Sequence, residues 1–389
     1  MSSPYELNAP TKWAVAPKRF SFSSLATIGS CPRRWQLRRS EWGKAAKFPE
    51  RSYPATVEGT IVHDGISKLF RALGPRGSPP IGSEVFRAIA DDCGFWRHFA
   101  EAVDECNAEQ ALHPRSGPGD FLRTPPRELA NRAIQLFRQQ YVPGVAKKEG
   151  SAPKSRVEAA SGADVWSALQ NNGALSELTI VHPNLPLTGD LDLVSVDSEG
   201  MVTITDFKTG KKKKEQHRSQ LLLYSVLWWR KVGSPPNRIK AQYLGESWEE
   251  AISPADCAAK EKVVAQEIAD AGTALGVQPA PAITSDDCVH CAMRARCAEG
   301  WSLVEAGRKL TTQSVDLEAT ISGLPMPNGF EAKRSDSSGL RVVFTEAVGH
   351  SLPKMERGQK FRLLCVYPRE TKGDAIEVEI KPWSELYLL

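Results

Sequence analysis

Residues 188–210 read TGDLDLVSVDSEGMVTITDFKTG. Two apolar, β-branched runs, 191–196 and 201–205, bound the polar stretch Asp197-Ser198-Glu199-Gly200, which is the pattern of a β-hairpin. A hairpin centred there sets Asp192 and Asp206 roughly opposite each other. Side chains alternate faces along a strand, so Asp206 and Lys208 project one way while Phe207 points into the core. Two carboxylates and an ammonium then share one face. Solvated charges on an exposed hairpin would explain each residue singly, but not their convergence at one end. Like charges directly opposite destabilise a sheet. A hard cation such as Mg²⁺ or Mn²⁺, which prefers oxygen ligands, relieves that repulsion.

The chain has 389 residues and 42.7 kDa, enough for two domains or for one large domain with an appendage. With 41% hydrophobic and 25% charged residues it has the composition expected of an ordinary soluble globular protein. A net charge of +4 permits a nucleic-acid partner without arguing for one. The first twenty residues lack a basic segment followed by an apolar one, and no apolar run reaches transmembrane length, so a cytoplasmic protein without membrane contact is expected. There is no GxxxxGK[ST] sequence, hence no P-loop motor, and no internal repeat.

Residues 1–20 form an irregular N-terminal extension. Ser23 is positioned to cap a helix over SLATIGSCPRRWQLRRS, interrupted by Pro32. From GTIVHDGISKLFRAL the pattern turns helical, with His63 at a helix start, and a helical insertion is expected over about 65–150. HRSQLLLYSVLWWRKVG reads as a buried helix, RIKAQYLG as a strand and 254–274 as a helix, so 21–305 is mixed α/β. After about residue 310 the runs SVDLEATISG, GLRVVFTEAV, FRLLCVYP and AIEVEIKP are short and strand-like. A separable β domain over 310–389 is expected, a small barrel or sandwich with an OB-like barrel as one candidate. Of Phe330, Phe344, Phe361, Tyr367 and Trp383, some belong to its core and others are available to stack on bases. Docking of a protein partner is the alternative use of such a barrel.

CVHCAMRARC places Cys288, Cys291 and Cys297 in a C-x2-C-x5-C array, one ligand short of a four-thiolate site. Cys31 is the candidate fourth. Thiolates are soft donors that hold iron–sulfur clusters or tetrahedral Zn²⁺, against chance clustering of reduced thiols. His290, inside the array, reads first as a solvated loop histidine, and Cys93, Cys106, Cys257 and Cys365 as isolated buried thiols.

SFSSLATIGSCPRRW, EGTIVH, LTGDLDLV, ITDFKTG, QLLLY and CVHCAMRARC occur in the order seen in RecB-type nucleases of the PD-(D/E)XK superfamily, which this sequence resembles. More narrowly it resembles their iron–sulfur branch, including AddB-type nuclease domains and CRISPR-adaptation exonucleases. The resemblance covers about residues 20–300, with the helical insertion matched in position only. It implies a restriction-endonuclease-like α/β core, Mg²⁺ or Mn²⁺ at the active site and a [4Fe–4S] cluster on Cys31, Cys288, Cys291 and Cys297, with Zn²⁺ as the alternative there. It further implies metal-binding roles for Asp192, Asp206, His63 and the Phe207 backbone carbonyl, with Glu177 a weaker match and Asp190 a second acid in the Gly189-x-x-Asp192 element. Lys208 is the catalytic lysine of Asp-Phe-Lys, where the commonest form has tyrosine, and Gln220 with Tyr224 is the Gln-x-x-x-Tyr element.

Phosphodiester hydrolysis needs an activated water and a stabilised leaving oxygen, which ions held by Asp192 and Asp206 supply. Gln220 and Tyr224, spaced i, i+4, share one helical face. Lys211, Lys212, Lys213 and Lys214 follow the catalytic strand, where they either stay solvated or touch the DNA backbone. The expectation is a Mg/Mn-dependent deoxyribonuclease, an exonuclease or end-processing enzyme acting on single-stranded DNA or duplex ends, in repair, recombination or defence. A helicase or integrase is the kind of protein partner implied. The competing function is a catalytically silent DNA-binding scaffold in a helicase–nuclease complex, against which retention of Asp192, Asp206 and Lys208 argues.

Overall fold

Strands β2 (Thr188–Val196) and β3 (Val202–Lys208) pair antiparallel with Leu193 opposite Thr205, a register that brings Asp192 level with Asp206. The turn is fixed by its own side chain: Asp197 Oδ1 accepts the N–H groups of Glu199 and Met201 at 3.0 and 2.9 Å. Gly200 takes φ +80°, which L residues rarely adopt. This hairpin is the centre of a computed structural model that describes residues 9–42, 52–76, 79–111, 121–141, 161–305, 314–323, 326–345, 352, 354–369, 376–381 and 384–389.

Around it lies a five-stranded sheet in the order β1-β2-β3-β4-β5. β1 (Ala174–Val181) is antiparallel to β2, β4 (Arg238–Tyr243) is parallel to β3, and β5 (Ser247–Ala251) is antiparallel to β4. A parallel neighbour needs a crossover, and helix α8 (Lys214–Val232) provides it. Leu221, Leu223, Val226, Leu227 and Trp228 of α8 are fully buried, which explains its apolar run. It packs on one face of the sheet with α1 (Phe22–Ser30), α7 (Gly162–Asn172) and α9 (Pro254–Leu275).

The opposite face is covered by the helical insertion: α3 (Pro54–Arg76), α4 (Glu84–Asp92), α5 (Phe95–Ala111) and α6 (Pro126–Arg138). Phe207 and Leu193 of the hairpin enter that second core. Two sequence expectations are corrected here. α3 begins at Pro54, so His63 lies in mid-helix rather than at a helix start. Ser21, not Ser23, caps α1, and the extended backbone at Cys31 (φ −167°) ends it before Pro32 opens α2 (Pro32–Arg39).

The C-terminal segment is a closed barrel. β6 (Val315–Ile321), β7 (Gly329–Lys333), β8 (Gly339–Val343), β9 (Lys360–Arg369) and β10 (Ile376–Glu379) close in the order β6-β7-β8-β10-β9-β6, and β11 (Glu385–Leu388) adds to β9. β8 and β10 are parallel and the other pairs antiparallel. β7 and β11 were unmarked in the sequence patterns. Phe330, Phe344 and Phe361 are core residues and cannot stack on bases; Tyr367 is half-buried and Trp383 lies outside the described residues.

The barrel also shares a hydrophobic cluster with the cysteine-rich segment: Leu364 and Tyr387 pack with Leu37, Met293, Cys297 and Trp301. Among the described residues no helix is long and apolar enough to cross a membrane.

Candidate active site and cysteine site

Antiparallel register carries Asp192 and Asp206 to one end of the hairpin, and the two are tied through the backbone. Asp192 Oδ2 accepts the Phe207 N–H at 2.7 Å. Asp206 is 2% exposed, and its Oδ2 pairs with the Lys208 ammonium at 2.6 Å. Gln220 of α8 spans the group: it accepts from Lys208 Nζ at 3.0 Å and donates to Asp206 Oδ1 at 3.2 Å and to the Tyr224 hydroxyl at 2.8 Å. The i, i+4 spacing of Gln220 and Tyr224 thus becomes one polar chain leading to the lysine.

From the other face α3 delivers His63. Its Nδ1 stands 3.5 Å from Asp192 Oδ2, and its ring meets the Phe207 ring edge-on at 6.1 Å. Burial lowers the His63 pKa, against the pull of Asp206. The centre therefore draws Asp192, Asp206 and Lys208 from the sheet, Gln220 and Tyr224 from α8, and His63 from α3.

Charge is unbalanced here. Burial first, then the neighbouring Asp192 carboxylate, push Asp206 up to about 7 despite Lys208. Burial pushes Asp192 up to about 6, and burial with the charges of Asp192 and Asp64 pushes Glu177 up to about 7. One ammonium does not neutralise this cluster, and buried acids lacking a counter-charge are where a cation gains most. The donors, carboxylate oxygens with a peptide carbonyl and an imidazole, fit a hard divalent ion. Among the described residues no three His, Cys, Asp or Glu side chains stand at the spacing of a closed metal site.

The remaining expected residues fall around this core. Glu177 sits in β1 at φ +51°, an irregularity that turns it toward Asp192. Asp190 is exposed and accepts from Thr179 Oγ1 at 2.6 Å, and its charge adds to the upward push on Asp192 and Glu177. Gly189 is required by space: a Cβ there would come 2.9 Å from Tyr224 Cε1 and 2.8 Å from Leu227 Cδ1. Lys211, Lys213 and Lys214 are exposed, with Lys214 5.5 Å above the Trp248 ring, whereas Lys212 pairs with Glu246 at 2.8 Å.

Sequence reasoning missed Asp64, which adds to the acid cluster, and the pair His217–Tyr243. Tyr243 is the β4 partner of Lys208, and its hydroxyl lies 2.5 Å from His217 Nδ1. Burial and the charges of Lys208 and Lys213 lower His217 to about 4, which keeps it neutral.

The four expected cysteines line one cavity of about 20 Å³, with Arg33, Arg34, Leu37, Met293 and Arg294. Each sulfur accepts a backbone N–H at 3.4 Å: Cys31 from Arg34, Cys288 from Ser285, Cys291 from Met293 and Cys297 from Gly300. Four soft donors, each supported by an N–H, fit a thiophilic metal. His290 is exposed, Cys257 is buried, and Cys93 and Cys106 are partly buried away from the cavity. Cys365 is no isolated thiol, as its Sγ accepts from Arg294 Nη2 at 3.3 Å.

A family model described as the PD-(D/E)XK nuclease superfamily matches residues 19–298. No curated protein matches. Among solved structures, p202 HIN2 is 18% identical over 21% of this chain and 44% of its own length, with a TM-score of 0.17. The chain therefore spans less than half of that structure. The replication factor A related protein from Methanobacterium thermoautotrophicum is 22% identical over 21% of this chain and 84% of its own, with a TM-score of 0.17. The p204 HINb domain is 11% identical over 51% and 84%, with a TM-score of 0.19. Likeness this slight carries no argument about this chain.

Proposed function

The chain belongs to the PD-(D/E)XK nuclease superfamily, and on that premise we propose that it is a divalent-metal-dependent deoxyribonuclease of RecB type acting on single-stranded DNA or duplex ends. The observation that carries this reading is the convergence of Asp192, Asp206 and Lys208 with Gln220 and His63 at one end of the hairpin. Asp192, Asp206, the Phe207 carbonyl and His63 would hold Mg²⁺ or Mn²⁺, with Glu177 beside them. Such an ion, when bound, supplies Lewis acidity toward the phosphoryl group and a water acidic enough to attack near neutral pH.

The protein's own groups do the rest. Lys208, 20% exposed and held by Gln220, orients the attacking water or neutralises charge building on the phosphate. Burial and Asp206 push the Tyr224 hydroxyl up, so it remains protonated and fixes Gln220 in place. Lys211, Lys213 and Lys214 lie directly beyond the catalytic strand, where they can track the DNA backbone.

The four cysteines are proposed to hold a [4Fe–4S] cluster. Zn²⁺ on the same four thiolates is the second reading, since a four-cysteine donor set is the one tetrahedral structural zinc takes. The barrel's strand order, with β8 parallel to β10, supports an OB-like assignment and with it a role in holding single-stranded DNA or a partner protein.

The test is cleavage of end-labelled linear and circular single-stranded DNA in Mn²⁺ and in EDTA. Mn²⁺-dependent shortening of linear DNA with circles left intact supports the exonuclease; equal cutting of circles removes the end requirement, and no cutting of either favours the silent scaffold.

A further inference from the structure

On the reading that the four cysteines hold a metal, we propose that the C-terminal barrel is a working part of the cysteine site: through Asp316 it fixes Arg294 and so holds the 288–297 loop in its metal-retaining shape. Arg294 is 7% exposed and lies between the second and third cysteines of the array. Its Nε and Nη2 both reach Asp316 of β6, the latter at 3.2 Å. Nη1 donates to the Cys291 carbonyl at 3.1 Å, and Nη2 reaches Cys365 Sγ of β9.

Two local distortions of the barrel produce this contact. The β6–β9 register breaks between Val315 and Leu317, at Asp316, and Cys365 adopts φ +54°. Asp316 Oδ1 then accepts the Cys365 N–H at 2.8 Å. A bulge re-aims a side chain, and a non-glycine residue at positive φ is strained and persists where surrounding contacts over-determine it. Both irregularities converge on one guanidinium of the cysteine loop.

Other barrel groups extend the brace. Arg362 Nη1 donates to the Ala295 carbonyl at 2.7 Å, and its guanidinium lies 4.4 Å from the Trp301 ring. Leu364 and Tyr387, both fully buried, belong to one hydrophobic cluster with Met293, Ala295 and Cys297 of the loop. The Ala295 carbonyl thus takes a side-chain donor from the barrel itself, and the Cys291 carbonyl, which also accepts the Arg294 backbone N–H at 3.1 Å, takes one from a guanidinium that the barrel anchors. Groups that orient metal ligands change metal affinity by roughly 10–100-fold. By linkage, losing the metal should loosen the barrel in return.

The experiment uses the full chain purified without oxygen, with iron and zinc measured by plasma mass spectrometry and their release followed after adding a chelator. Asp316→Asn, which leaves Arg294 without its carboxylate, should release metal at least tenfold faster than the parent protein. The double change Arg294→Met with Asp316→Leu removes both charges, avoids a buried unpaired ion and should show the same acceleration. Amide exchange across 361–367 should rise in Cys288→Ser. Release within twofold of the parent in the folded double variant, or unchanged exchange in Cys288→Ser, would overturn the proposal. A parent protein holding neither iron nor zinc removes the metal reading and this inference with it, whereas metal retained equally by parent and variants removes the inference alone.

Discussion

Replacing Asp206 with Asn removes a charge that the metal-free fold holds at a cost. Burial and the Asp192 carboxylate raise the Asp206 carboxyl to about 7, whereas an unfolded chain ionises near ~4. Between those values the native chain binds a proton that the unfolded chain does not. Stability from this group is therefore fully present below pH ~4 and lost as pH rises through ~7. Three pK units at ~1.4 kcal/mol each set an upper bound on the order of 4 kcal/mol. Loss of the Lys208–Asp206 pair in the variant subtracts from it. In EDTA, Asp206→Asn should gain about 1–3 kcal/mol on the parent protein between pH 5 and pH 8, read by scanning calorimetry as a Tm difference that widens with pH. Mn²⁺ at pH 8 should raise the parent's Tm and not the variant's. Parallel Tm profiles for the two proteins across this range would refute the argument that the acids repel.

Lys208→Met should abolish cleavage while Mn²⁺ still raises Tm, because the lysine acts on the reacting phosphate rather than as an ion ligand; retained turnover would count against its role. Gly189→Ala forces a Cβ against Tyr224 and Leu227 and should cost about 1–3 kcal/mol, with a fall in kcat from the displaced Gln220–Tyr224 pair; unchanged urea midpoint and kcat would contradict the crowding. Lys211→Gln with Lys213→Gln should weaken DNA binding and reduce the slope of log affinity against log salt by about 1–2, measured by fluorescence anisotropy with Ca²⁺ as the ion. An unchanged slope would leave these lysines solvated.

The hairpin was legible in the sequence because period-two alternation and an Asp-Ser-Glu-Gly turn are local signals, and the convergence of Asp192, Asp206 and Lys208 follows from register. The depth of His63 in α3 was not, since no capping residue announces Pro54 and the helix is held by tertiary packing against Phe207. Glu177 reaches the acid cluster only through a backbone conformation that glutamate rarely adopts. The meeting of His217 with Tyr243 depends on the parallel pairing of β3 with β4, which a crossover of this length leaves open. Cys365 looked isolated because its partner is an arginine 71 residues away, reached through a strained residue and a bulge. The barrel aromatics divided differently from expectation because closing a small barrel consumes its rings: Phe330, Phe344 and Phe361 fill the interior.

The central claim, that the end of the 188–210 hairpin is a metal-dependent phosphodiesterase centre, is tested most directly by single-turnover cleavage of end-labelled single-stranded DNA. The comparison is the parent protein in Mn²⁺, the same protein in EDTA, and Asp206→Asn in Mn²⁺ at matched calorimetric foldedness. The account predicts product in the first reaction and none above background in the other two. Cleavage by Asp206→Asn at a rate close to the parent's would contradict it.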